Sequence, residues 1–355
     1  MTRIVPRRLS AGLAAGLLAA TLITPGVATA APKPSSVPAC LMQPLPLPAG
    51  VSLTGSPLYV DPTGRFIVNH AVRTTDQGRE SLLLRWEGPR VTVLLTNPPG
   101  ALVAVNRQGV LIGDNYNSTG NRPWRYRDGR LDSLPVAPNG ISAYVTGINS
   151  RGDIVGFGGY LEEPVPLLWP VDRPGTVEVI EPGGIPVAIL DDGTVVGAAP
   201  AGEDRSSHVA GVRRAGGRED VPPPVAWVRR PDGRIDRLTA PGAVKSSVWA
   251  ARGNWAVGEV ADTANGQYDR MVRWDLRTGV ATPVKPGLLG VAGVNSGGSL
   301  IAGSVVDHLD HRVPLRSVAS DPVTGTVADA IADNGTVVGR ATGLQLSLPM
   351  RWSGC

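Results

Sequence analysis

Hydrophobic positions in this chain come in short runs of three to five, each broken by a cluster of Gly, Asn, Asp or Pro. One arrangement recurs. Val105-Asn106-Arg107-Gln108-Gly109 leads into VLIG, and Ile148-Asn149-Ser150-Arg151-Gly152 leads into DIVG. The same phrase begins at Val60, Ile189, Trp249, Val294 and Ile331, mostly about 40 to 45 residues apart. A recurring phrase at this spacing marks a repeat architecture. Each copy reads as an apolar strand, a turn whose last position is Gly, and a second β-branched strand that ends at Gly, or at Asn69 in the first copy. Gly in the turn supplies positive φ, and Gly at the strand end lets a neighbouring backbone come close.

A second pattern follows each hairpin: a strand carrying an aromatic, a turn containing Gly, and another strand. The aromatics are Trp86, Tyr126, Trp169, Trp227, Trp274 and Trp352, and the sixth copy has Leu315-Arg316 instead. Two hairpins per repeat make four strands, and seven four-stranded units predict an all-β chain folded as a seven-bladed β-propeller. The aromatics are expected to pack between blades. No stretch beyond the first 30 residues shows the period of a long helix.

The phrases resemble the HAF repeat of secreted bacterial proteins, over nearly all of residues 41 to 355. The His-Ala-Phe triplet of that family is absent, and Leu190, Ala250 and Ala332 stand where its Asn is expected. The resemblance implies a secreted propeller and carries no catalytic residues.

Residues 1 to 30 read as a signal peptide: Arg3, Arg7 and Arg8, then an apolar run, then Ala28-Thr29-Ala30 as a cleavage site. The apolar run is too short for a permanent span. Ordinary secretion is favoured over twin-arginine export, residues 31 to 39 form a short linker, and residues 40 to 355 a single domain. The leader holds three of the 34 basic residues and none of the 30 acidic ones, so its removal lowers the net charge from +4 to +1. The basic balance of the whole chain therefore gives no reason to expect nucleic acid. A monomer without a membrane span is expected. The 45 Gly and 33 Pro punctuate strands at regular intervals, so they do not signal disorder.

Cys40 and Cys355 are the only cysteines. The seventh repeat stops after its third strand, and residues 41 to 48 occupy the phase of a fourth. The N-terminal segment is thus expected to complete the last blade, with a Cys40–Cys355 disulfide in place of the missing turn.

Candidate binding chemistry is expected in the connections between second and third strands, at 69–81, 114–122, 158–165, 198–224, 259–270, 304–313 and 340–348. These hold all four histidines, His70, His208, His308 and His311, together with Asp114, Asn115, Tyr116, Tyr160, Glu162, Glu259, Tyr268 and Asp307. Converging on a channel, such groups could hydrogen-bond a sugar. Asp307-His308-Leu309-Asp310-His311 has metal-ligand chemistry, but His308 and His311 are three apart and point opposite ways on a strand. No metal or other cofactor is assigned, and no nucleophile motif stands out. The favoured function is a secreted, non-catalytic module for an unknown extracellular ligand, a cell-surface polysaccharide or a protein. The alternative is an extracellular hydrolase or lyase with acids or histidines at the channel mouth.

Overall fold

Each repeated phrase folds as the tip of a hairpin because one side chain gathers the N–H groups of its turn. Asn149 accepts through Oδ1 from the backbone of Arg151, Gly152 and Asp153, at 3.0, 3.0 and 2.9 Å. Asn106 and Asn295 hold their turns in the same way, and Asp61 does so in the first copy. The Gly that closes the turn takes positive φ, 77° at both Gly109 and Gly335. The Asn also binds its neighbour: Nδ2 of Asn106 donates to the carbonyl of Asn149 at 3.0 Å, and Nδ2 of Asn149 to that of Leu190 at 3.2 Å. Only a backbone carbonyl is needed on the receiving side, so Leu190 and Ala332 can accept the contact at the Asn position, although neither side chain can pass it to the next blade.

The computed structural model describes residues 40–117, 120–136, 142–159, 164–198, 224–264, 266–285, 290–315, 325–342 and 347–355, with side chains of Asn117 and Thr342 left aside. The expected signal peptide and linker, and most of the 198–224 connection, lie outside them.

Seven antiparallel sheets form a closed ring. Blade 1 has a broken inner strand, Val51–Leu53 and Tyr59–Val60, followed by Phe66–Thr75, Gly78–Glu87 and Arg90–Thr96. Blade 2 comprises Ala101–Val105, Leu111–Asn117, Gly120–Arg127 and Arg130–Ser133; blade 3, Ala143–Ile148, Ile154–Gly158, Val165–Trp169 and Glu178–Val179. Blade 4 comprises Ile185–Ile189, Val195–Ala198, Ala226–Arg229 and Ile235–Leu238; blade 5, Lys245–Arg252, Trp255–Ala261, Arg270–Asp275 and Ala281–Pro283. Blade 6 comprises Val291–Val294, Leu300–Ala302, Val305–Asp307 and Arg312–Pro314. Blade 7 comprises Gly325–Ile331, Val337–Thr342 and Ser347–Ser353, and its outer strand is Leu41–Pro44 from the other end of the chain. Each inner strand touches the next around the full circle, from Tyr59–Val60 to Gly325–Ile331 and back. Cys40 and Cys355 are disulfide-bonded with Cα atoms 4.6 Å apart, so the ring closes as the repeat phase predicts.

The core is divided by the same geometry. Among the described residues it forms seven apolar clusters, one at each junction between blades. The aromatics all lie in them, from Trp86, Trp274 and Trp352 at 0% exposure to Tyr126 at 8%. They occupy two positions rather than the single one expected. Trp86, Tyr126, Trp169, Trp274 and Trp352 pair with the residue two before the strand-ending Gly or its Asn69 counterpart. Trp227 instead pairs with Gly197 itself, as Trp124 pairs with Gly113. In both cases a Cβ on the Gly would fall on the indole.

A bulge interrupts the pairing of the inner and second strands in blades 2 to 7. It presses the inner strand against the strand-ending Gly: a Cβ on Gly156, Gly258 or Gly339 would collide with the carbonyl of Tyr144, Ser247 or Val327. Blade 1 has Asn69 there, and its inner strand is broken at that level. Asn69 Nδ2 holds the break by donating to the carbonyls of Ser56 and Pro57 at 2.9 and 2.8 Å.

The sixth blade departs from expectation. Its third strand is Val305–Asp307, immediately after a turn at Gly303-Ser304, and its fourth is Arg312–Pro314. The sequence pattern places the third strand at Leu315, where the aromatic is missing. Without that aromatic anchor the strands begin earlier, and residues 308–311 become the turn between third and fourth strands.

Candidate site at the upper channel mouth

The propeller has two faces. The hairpin turns of the repeated phrases lie on one, called here the hairpin face. The second-to-third connections and the links between blades lie on the other, the upper face.

Charged contacts link the blades on the hairpin face. Asp191 accepts from the backbone N–H of Ser150 at 2.8 Å, and Asp333 from that of Ser296 at 2.8 Å. Arg107 reaches two blades on to Asp191 at 4.0 Å, and Arg252 two blades on to Asp333 at 3.8 Å. Burial pulls the Arg252 guanidinium below its ordinary pKa, and Asp333, Asp191 and Asp61 oppose the shift.

The residue after the strand-ending Gly or its equivalent forms a ring near the upper face: His70, Asp114, Phe157, Ala198, Glu259, Gly303 and Arg340. At three of these positions the residue answers a demand of the next blade, where the bulge turns an inner-strand N–H sideways. His70 Nε2 accepts from Leu102 N–H at 3.1 Å, and Asp114 Oδ1 accepts from Val145 N–H at 3.1 Å. In blade 6 the carbonyl of Gly303 accepts from Ala328 N–H at 2.8 Å. Blades 1 and 4 have Pro57 and Pro186 at that position, with no N–H to satisfy, and the facing residues are Arg340 and Phe157, neither an acceptor. His70 must be neutral at Nε2 to accept, and burial does pull its pKa down.

Asp114 is the most perturbed carboxyl here. It is 4% exposed, accepts from Asn121 Nδ2 at 2.9 Å as well as from Val145, and burial pushes its pKa up to about 6 against the pull of those two donors. Asn121 also donates to the carbonyl of Ala143 at 2.6 Å, which locks blade 2 to blade 3. Above this lock three rings line up: Tyr116, 64% exposed, lies 6.1 Å from Tyr144, which stacks on Phe157 at 4.9 Å and 16°. Tyr59 is half-buried on the blade 1 side. Burial, then Asp329, Asp114 and Tyr116, push its hydroxyl up to about 12. Asp329 accepts from Leu58 N–H at 3.0 Å and from Arg340 Nε and Nη2 at 3.1 and 2.9 Å. Arg340 also donates to the carbonyl of Gly55.

The expected residues thus separate into groups. His70, Asp114 and Tyr116 lie on the same side of the mouth as Tyr59. Asn115 faces away from Tyr116 and Asp114 on the same strand. Glu259 holds the ring position of blade 5, and Tyr268 lies beneath the Lys245 ammonium, 4.4 Å from the ring centroid. Tyr160, Glu162 and His208 lie outside the described residues. The Asp307–His311 cluster is not on this face at all. The shortened sixth blade carries it to the hairpin face, where His308 Nδ1 and Ser299 Oγ are 2.8 Å apart. His308 and His311 stack at 4.4 Å, and burial and His311 pull the His308 pKa down. Asp307 is buried in ion pairs with Arg312 of its own blade, at 2.7 Å, and with Arg273 at 3.2 Å, the second of which joins blades 5 and 6. Among the described residues no group of three or more His, Cys, Asp or Glu is placed to hold a metal ion. Sequence reasoning missed Tyr59, Asn121, Tyr144, Phe157, Asp329 and Arg340. Aligning the residue after each strand-ending Gly would have found Phe157 and Arg340.

No family model matches the chain, and no curated protein matches it in sequence. Solved structures match in fold. The β-propeller domain of the Trilobed protease from Pyrococcus furiosus, described as having an open velcro topology, is 10% identical with a TM-score of 0.58, over 87% of this chain and 95% of that one. The Pyrococcus horikoshii acylaminoacyl peptidase is 8% identical with a TM-score of 0.55, over 84% and 51%. The oligogalacturonate lyase of Vibrio parahaemolyticus is 13% identical with a TM-score of 0.50, over 89% and 97%. At these identities the likeness is one of fold.

Proposed function

We propose that this chain is a secreted, non-catalytic binding module of HAF-repeat type, and that its ligand seats on the upper face where blades 1, 2 and 3 meet. One observation carries the reading. Tyr116 presents an open ring at the end of the Tyr116–Tyr144–Phe157 row, beside polar groups already fixed in place. A row of rings with flanking donors and acceptors suits a sugar, whose apolar face stacks while its hydroxyls bond. The ligand is therefore a glycan of the cell surface. The leader-like residues 1 to 30 and the Cys40–Cys355 disulfide support an extracellular place of work. Among the described residues no helix is long and apolar enough to cross a membrane.

His70 and Asp114 support binding more than catalysis, because both are committed to N–H groups of the adjoining blade. A second reading rests on the raised pKa of Asp114: a carboxyl that stays protonated up to about 6 is suited to general-acid hydrolysis.

The test is co-sedimentation of the mature chain with insoluble polysaccharides and purified bacterial cell wall, with the supernatant assayed for released fragments. Saturable binding, weakened about tenfold or more in Tyr116→Ala without release of fragments, is the expected result. Release of fragments that stops in Asp114→Asn would replace the binder with the enzyme.

A further inference from the structure

The hairpin face carries a different chemistry. Two grooves flank the turn of blade 2, one against blade 1 with a volume of about 310 Å³ and one against blade 3 of about 450 Å³. Arg85 and Arg127 line the first, and Arg125, Arg127 and Arg151 the second. Gln108 and Arg127 belong to both, so the grooves form one track across the blade. Arg85 makes no ion pair among the described residues; its guanidinium lies 5.2 Å from the centroid of the Phe66 ring. Arg125 has a buried Nε without an acceptor, and its Nη2 is 3.4 Å from Asp132. Arg127 and Arg151, more than half exposed, pair locally with Asp128 and Asp153 at 3.2 and 2.7 Å.

We infer that this track is a second binding site, distinct from the aromatic row on the opposite face, and that it takes an acidic polysaccharide bearing carboxylates. Guanidinium groups present paired donors that match a carboxylate. Asp128, Asp132 and Asp153, interspersed among these arginines, repel a chain charged at every phosphate, which separates this ligand from nucleic acid. Asp128, 85% exposed at the first groove, is open to a sugar hydroxyl set between carboxylates, whereas the oxygens of Asp153 are taken by Asn149, Arg151 and Val171. Bases would also need an open aromatic to stack on, and the aromatic of the track, Tyr126, is 8% exposed.

Affinity electrophoresis of the mature, disulfide-bonded chain tests this, with polygalacturonate, neutral dextran or a single-stranded DNA oligonucleotide in the gel. The variants are Arg85→Gln with Arg127→Gln, Tyr116→Ala, and Arg277→Gln as a control on blade 5, 71% exposed. The expected result is retardation by polygalacturonate, not by dextran, that weakens with salt. The double variant should weaken it about tenfold, while Tyr116→Ala and Arg277→Gln leave it unchanged. Absence of retardation at low salt, equal retardation of the double variant, or stronger retardation by DNA would each overturn the proposal. Loss in Tyr116→Ala alone would also overturn it and place the acidic ligand on the upper face.

Discussion

The indole N–H of Trp86 donates to the carbonyl of Pro46 at 2.6 Å, tying blade 1 to the segment that has just completed blade 7. Trp169 donates to Pro135 and Trp274 to Thr239 in the same way, each at 2.8 Å and each to the link that enters its own blade. The N-terminal segment therefore serves blade 1 as an ordinary link serves its blade. What it lacks is a peptide connection to the strand beside it, and the disulfide supplies that.

Cleaving the Cys40–Cys355 bond should thus open the ring at one defined place. The bond spans 315 residues, and closing a loop of that length contributes on the order of 5 kcal/mol as an upper figure. Cys355→Ser is expected to lower the denaturant midpoint, with hydrogen exchange rising first in Leu41–Pro44 and Ser347–Ser353. Uniform acceleration across all blades would show that the ring unfolds without opening there.

Asn149 should be the most costly of the repeated asparagines to remove, because its Oδ1 satisfies three N–H groups and its Nδ2 reaches blade 4. Asn149→Ala is expected to cost about 2 to 4 kcal/mol. Asn149→Asp keeps the acceptor of the turn but sets a carboxylate against Asp153 Oδ2, which now accepts from the amide at 2.9 Å, and against the carbonyl of Leu190; a loss of about 2 kcal/mol or more is expected at neutral pH. Urea unfolding of the pair at neutral pH would check both values. A loss well under about 1 kcal/mol in Asn149→Asp would mean that the contacts of Nδ2 contribute little beside the turn.

Gly156→Ala places a methyl on the carbonyl of Tyr144, in backbone that cannot yield without moving the bulge. A loss of about 3 kcal/mol or more, or failure to fold, is expected. Asn69→Gly, at the same position of blade 1, should cost less, since that inner strand is already broken. Thermal melts of the two side by side would show the difference.

Asp114 makes stability depend on pH. Its folded pKa, about 6, is above its ordinary value of 3.8, so the folded chain keeps a proton that the unfolded chain releases. The associated stability is fully present below about 3.8 and is lost as pH rises through about 6, by on the order of 2 to 3 kcal/mol. Asp114→Asn removes this dependence. Its melting temperature should match the parent at pH 4 and exceed it at pH 8. A constant difference across that range would mean that the carboxyl titrates normally.

The ring of blades was legible because one phrase recurs and each blade repeats the same local physics: a turn held by Asn149 or its equivalents, and a Gly such as Gly156 where the bulge presses inward. Closure could be read from phase alone, since residues 41 to 48 stand where LDSLPVAP stands before the third phrase. The sixth blade could not be read this way. Its strands are three residues long after the first, and Leu315 gave no aromatic to fix them, so Asp307, His308 and His311 went to the wrong face. The upper mouth was half legible. His70, Asp114 and Tyr116 fall in the connections where binding chemistry is expected, while Tyr144 and Phe157 lie within strands, outside them. Their row exists only once blades 2 and 3 are side by side.

Several residues that follow a strand-ending Gly or its equivalent are matched to the blade that comes next, so the contacts do not fall within single blades. His70 suits blade 2 because Leu102 has an N–H to give, and Phe157 suits blade 4 because Pro186 has none. Copying a blade from its own first strand to its own fourth would separate each of these partners. A copied segment that runs from the second strand of one blade through the first strand of the next would carry both together. The unit that keeps these partners together is then out of step with the unit that meets the eye, by the single inner strand that each blade lends to its predecessor.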